Sequence, residues 1–179
     1  MYPQAEIEDI IDNLNDGITI RGDLIAECIL YHGKNIENRK RKINKKYLAL
    51  HIGSGKIDNG IKESLLNNIE QVNEKKLPKS HIVGIIKLGD SKKIDELTEE
   101  EKKNKWIFEG NGYNVCNYIT DVYILDTPIK CRGFQSVTWN LKCVDNDLIK
   151  KNKFELSLKQ KIINQLLLQN HNNIKIDSN

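Results

Sequence analysis

The chain has 179 residues, of which 39% are apolar and 30% charged, and this length suits a single domain better than two. With a mean hydropathy of -0.55 and no run approaching the ~18 apolar residues of a membrane helix, a non-membrane protein is expected. The acidic start from Met1 to Asp16 lacks the basic and then apolar order of a signal peptide, so the expected location is intracellular, cytoplasmic or nuclear. Twenty-eight Lys and Arg against 25 Asp and Glu leave a formal charge of +3, too little to bind DNA strongly through overall charge.

Ile7, Ile10, Ile11 and Leu14 recur at helical spacing and predict an N-terminal helical extension over residues 1–16. Gly17 to Ile20 reads as a short strand, Asp23 as the cap of a helix with Leu24, Ile25, Cys28, Ile29 and His32 on one face, and Gly33 as its end. Lys34 to Arg39 and Tyr47 to Ile52 read as strands that should pair as a hairpin. Ile61, Leu65, Ile69 and Val72 predict a helix running to about Lys75, closed by Pro78. His81 to Leu88 is nearly all apolar, as in a strand covered on both faces, and Gly84 within it permits a close approach of other groups; this is the expected centre of the sheet.

Asp90 to Lys105 is charged, and Thr98 with Glu101 has the spacing of a capping box on a short solvated helix. Trp106 to Glu109 and Tyr113 to Ile124 flank Gly110-Asn111-Gly112 and predict a second hairpin. Val137 to Val144 is a last strand, followed by a helix carrying Leu158, Ile162, Ile163, Leu166 and Leu167 and a polar, frayed tail from Asn170 to Asn179. The expected class is α+β, a small mixed barrel of about five to seven strands flanked by helices, with the barrel over residues 17–144 and the terminal helix and tail over 145–179. The four cysteines, Cys28, Cys116, Cys131 and Cys143, form no Cys-x-x-Cys pair; reduced structural thiols are expected, and no metal or other cofactor.

The chemistry concentrates between Leu24 and Gly53. On a strand of period two, Glu37 and Arg39 project to the same side, and Lys34, just after the helix-ending Gly33, can reach the same place. A carboxylate beside a guanidinium can accept from a nucleobase amine while Arg39 or Lys34 holds a phosphate or carbonyl; the same spacing also fits a plain rim ion pair. His51, Ser54 and Lys56 lie in or just after a strand, where glycines let backbone N–H groups converge on an anion. This turn is not a Walker A loop, because Leu50 stands where the first glycine belongs and Ile57 where a magnesium-binding hydroxyl belongs. Arg39, Lys40, Arg41, Lys42, Lys45 and Lys46 form a basic turn suited to a phosphate backbone, or to targeting or simple solvation. Trp106 and Tyr113 are the aromatic residues best placed to stack a base.

Gly33-Lys34-Asn35-Ile36-Glu37-Asn38-Arg39 followed by Leu48-Ala49-Leu50-His51-Ile52-Gly53 resembles the ASCH domain, a PUA-like β-barrel family. Ile82-Val83-Gly84-Ile85-Ile86 is similar to its second core strand, and Pro128-Ile129, Arg132-Gly133-Phe134-Gln135 and Trp139 to its closing segment. The resemblance implies RNA or modified-nucleoside recognition, with RNA or a nucleotide as partner. Some members are amidohydrolases of acetylated cytidine, and ribonuclease action is attributed to others. The amidohydrolases carry a Thr three residues after the motif lysine, where this chain has Glu37, so hydrolysis here falls to Lys34 and Glu37, and ribonuclease action to Lys34, Glu37 and His51. A third reading is a protein-interaction domain, in which the helix Leu156 to Leu168 stands exposed as the docking face.

Overall fold

The computed structural model describes residues 2–73, 76–110, 112–145 and 156–176. It is a mixed α+β fold whose six-stranded sheet curls into a half-barrel. The strands are β1 (Asp16–Arg21), β2 (Ile36–Arg39), β3 (Tyr47–Gly53), β4 (His81–Lys93), β5 (Val115–Lys130) and β6 (Thr138–Asn140), in the order β2-β5-β4-β3-β1-β6. β1 runs parallel to β3 and every other pairing is antiparallel. The helices are α1 (Gln4–Asn13), α2 (Asp23–Tyr31), α3 (Asn59–Leu66) and α4 (Leu158–Ile176); residues 142–145 are helical as well, so the strand expected over Val137 to Val144 is confined to β6.

β4 and β3 form the centre of the sheet, as the apolar runs predict. All seven residues of β3 are buried because both faces of the sheet are covered. Tyr47 and Ala49 pack with Ile10 and Leu14 of α1 and with Leu158, Ile162 and Leu166 of α4. Leu48, Leu50 and Ile52 pack on the other side with Ala26, Ile29 and Leu30 of α2. Gly84 of β4 is needed where it stands: a Cβ there would lie 2.7 Å from the Tyr123 carbonyl oxygen of β5 and 3.1 Å from Leu30.

Several expectations are corrected. β2 pairs with β5, not with β3, so the basic segment between β2 and β3 is a long connection across the end of the curled sheet rather than a hairpin turn. Trp106 to Glu109 is not a strand; β5 pairs instead with β4, and the charged connector lies between them. Asn111 lies outside the described residues. Asp23 is the first residue of α2 and makes no capping bond, the cap position being Gly22. α3 ends at Leu66, just before Asn67 and Asn68, rather than near residue 75, and Val72 is exposed. α4 continues through Ile176, so the polar stretch from Asn170 is helical as far as it is described, and residues 177–179 lie outside. The Thr98–Glu101 capping box is present, each backbone N–H bonded to the other residue's side chain, over a single 3₁₀ turn.

Over residues 158–171, where its side chains are described, the terminal helix turns most of its apolar residues inward. Leu158, Ile162, Ile163 and Leu166 are buried in the core; Leu168, 63% exposed, and Leu156 are its outward apolar residues. No helix among the described residues is long and apolar enough to cross a membrane.

Candidate nucleic-acid interface

The site begins where α2 ends. Gly33 takes φ +69°, and the Lys34 N–H turns back to donate to the Cys28 carbonyl at 2.9 Å, closing the end of the helix through a left-handed glycine. This cap delivers Lys34 to the base of β2. Its ammonium donates to the Ile36 carbonyl and lies 3.9 Å from Oε2 of Glu37, while Oε1 of Glu37 lies 2.8 Å from Nε of Arg39. Lys34 is 6% exposed and Glu37 7%, so the three groups form a largely buried cluster. Burial lowers the pKa of Lys34, and the neighbouring carboxylate of Glu37 opposes that fall.

Arg39 also donates from Nη2 to the Thr19 carbonyl at 3.2 Å. It thereby joins β2, at one edge of the half-barrel, to β1, next to the other edge. Thr19 is the junction of a second network. The Trp139 indole N–H, which can only donate, bonds to Thr19 Oγ1 at 2.9 Å. His51 Nε2 faces the Cys131 carbonyl at 3.0 Å and so carries the proton, leaving Nδ1 to accept from the Thr19 hydroxyl at 3.2 Å. His51 is thus a fully buried, fully bonded neutral imidazole, and its burial lowers its pKa. It lies behind Thr19 and does not line the cleft described below.

The basic segment divides into two groups. Lys45 pairs with Asp16 at 2.9 Å and Lys46 with Asp9 at 2.6 Å, so both are tied to β1 and α1. Lys40, Arg41 and Lys42 are exposed and make no ion pair among the described residues. Asn117 of β5 anchors the segment from below. Its Oδ1 accepts from the Ile43 N–H and the Ser91 hydroxyl, each at 2.8 Å, and its Nδ2 donates to the carbonyls of Glu37 and Arg41 at 3.2 and 3.4 Å.

These parts border one open cleft of about 1390 Å³. Lys34, Glu37, Arg39, Lys40, Arg41, Lys42, Lys45, Ser54, Trp106 and Tyr113, all expected from the sequence, line it, together with Arg21, Phe108 and the segment 133–138. Lys46, Lys56 and His51 are not brought to it. Trp106 is a correction: it is 5% exposed, packed against Cys28, Ile36, Leu65 and Cys116 with Lys105 over its ring, and forms wall rather than a free stacking surface. Tyr113 is half-buried beside Phe108, their centroids 6.3 Å apart. Cys28, Cys116 and Cys131 are buried free thiols whose pKa values burial raises, and no metal-holding cluster of His, Cys, Asp and Glu occurs among the described residues.

No known protein family matches the chain, and no curated protein matches it either.

Thr19, Asn38, Phe108 and Asn117 escaped the sequence reading. Asn117 carried a signal, since a lone amide within Val115-Cys116-Asn117-Tyr118-Ile119 must find partners if it points inward. Asn38 holds the cleft wall by donating to the Trp106 carbonyl and accepting from the Phe108 N–H, contacts across about 70 residues that no local pattern encodes.

Proposed function

We propose that this chain is an ASCH-like nucleic-acid-binding module that holds RNA or another single-stranded nucleic acid in the cleft between the two edges of its half-barrel. The observation carrying this reading is the gathering of Arg21, Lys40, Arg41 and Lys42, none of them neutralised by an ion pair among the described residues, around the buried Lys34–Glu37–Arg39 cluster. The carboxylate has a different part from the one expected of it. Both Glu37 oxygens face basic groups of the protein itself, so Glu37 orients Arg39 and opposes the fall that burial imposes on the Lys34 pKa instead of reading a base edge. Recognition then rests on phosphate and shape more than on base-edge hydrogen bonds.

Four exposed cations on phosphates of a single strand give log K against log salt a slope of about −3, a loss of about fiftyfold in affinity between 50 and 200 mM. Fluorescence anisotropy with a labelled RNA 12-mer measures it. The double variant Lys40→Ala/Lys42→Ala should halve the slope, leaving a loss of about sevenfold over the same range. Binding insensitive to salt, or a slope the variant leaves unchanged, refutes this placement of the interface.

A further inference from the structure

The cleft has an aromatic side that the electrostatic reading leaves unused. Four aromatic side chains line it: Trp106, Phe108, Tyr113 and Phe134. Trp106 is part of the wall. Phe134 is occupied on both faces, stacked on Trp139 at 4.4 Å and 21° with the Arg132 guanidinium 4.3 Å from its centroid. Phe108 and Tyr113 differ: they touch each other at a tilt of 58°, and among the described residues no cation and no further ring covers either. Both are half-buried and line the cleft.

Their loop is held in place. The Phe108 N–H donates to the Asn38 side chain of β2 at 3.2 Å, and the Tyr113 N–H closes a turn onto the Gly110 carbonyl at 2.9 Å. The Lys40 stem runs against the same loop, 3.6 Å from where a Cβ on Gly112 would lie. An aromatic pair with a flexible ammonium beside it is the arrangement that takes a base on its face and the adjoining phosphate on its charge. A base in a duplex has both faces covered by its neighbours and cannot offer one.

Resting on the nucleic-acid reading above, we propose that Phe108 and Tyr113 form a stacking subsite for one unpaired base, which makes the cleft select single strands over duplex. The test uses the full chain with a 12-mer of uridine, a 12-mer of thymidine and a 12-base-pair duplex of RNA over a series from 50 to 200 mM salt, and the ratios are read at equal salt with whichever single strand binds more tightly. That strand should bind at least tenfold more tightly than the duplex. Tyr113→Leu should weaken it about fivefold to a hundredfold at an unchanged salt slope, while Tyr113→Phe, which keeps the ring face, stays within about twofold of the unmodified chain. A single 2-aminopurine in the strand should be quenched on binding, and the quench should be lost in Tyr113→Leu. Salt-dependent binding with duplex equal to single strand, or with Tyr113→Leu equal to Tyr113→Phe, overturns the stacking subsite and leaves the basic interface standing. Absence of binding by every oligonucleotide overturns both.

Discussion

Replacing Asn117 with alanine strikes the basic segment without touching a charge. The amide is fully buried and serves four groups: the Ile43 N–H, the Ser91 hydroxyl and the carbonyls of Glu37 and Arg41. Ser91 can turn its hydroxyl elsewhere, and carbonyls tolerate a lost partner better than donors do. The Ile43 N–H cannot turn, and Ile43 itself is buried, so the variant leaves a dry, unpaired donor costing about 1–3 kcal/mol on top of about 1 kcal/mol for the remaining bonds. Urea denaturation should therefore show a loss of about 2–4 kcal/mol, and amide exchange at Ile43 should accelerate relative to the centre of β3. Asn117→Asp sharpens the test. A carboxylate can accept from Ile43 and Ser91 but faces two carbonyls on its other side, whereas the protonated acid can donate to one of them. Burial and this hydrogen bond raise the acid's pKa in the fold, so this variant gains stability relative to the unmodified chain as the pH falls from 7 to 5. A change below about 0.5 kcal/mol in Asn117→Ala, or an Asn117→Asp variant whose pH profile runs parallel to that of the unmodified chain, refutes the view that Asn117 anchors the segment.

Two further outcomes are expected. His51 is held neutral, with a pKa lowered in the fold, so the unfolded chain binds a proton near pH 6.5 that the folded one does not. Stability is thus intact above pH 6.5 and falls by up to about 1.4 kcal/mol for each unit below it until the folded value is reached; urea midpoints between pH 7 and 5 should show this slope, and His51→Gln should flatten it. Gly84→Ala places a methyl group 2.7 Å from a backbone oxygen that cannot yield without parting β4 from β5. A cost of about 1–3 kcal/mol lowers the thermal midpoint by about 2–12 °C, and a midpoint within 1 °C of the unmodified chain would show that the strands can separate freely.

The sequence made the strands legible where burial is complete and the pairings illegible where they are distant. Leu48-Ala49-Leu50 and Ile82 to Ile86 announced the centre of the sheet because both of its faces must be apolar. The same apolar runs do not say which strand lies beside which. Two strands joined by a polar segment looked like a hairpin, but the curl of the sheet inserts β5 and β4 between β2 and β3. β4 also outran its apolar signal: Ser91, Lys92 and Lys93 are polar yet pair with Asn117, Cys116 and Val115. At the site, the Glu37–Arg39 contact was readable from strand periodicity and Lys34 from its position after the glycine. That Arg39 reaches Thr19, and that Lys45 and Lys46 are neutralised by Asp16 and Asp9, depends on elements brought together only by the fold.

The two edges of the half-barrel are unusually short. β2 offers four residues and β6 three, and the cleft with its exposed cations lies between them. An open sheet edge invites strand addition by another molecule, and lysines beside an edge are one of the means by which that is prevented. Lys40, Arg41 and Lys42, which follow directly on the β2 edge, would oppose pairing of that edge with another copy of the chain, apart from any ligand they hold. Stripping all three to map binding will cost solubility, most visibly at low salt, where the like charges on neighbouring copies repel over the longest distance.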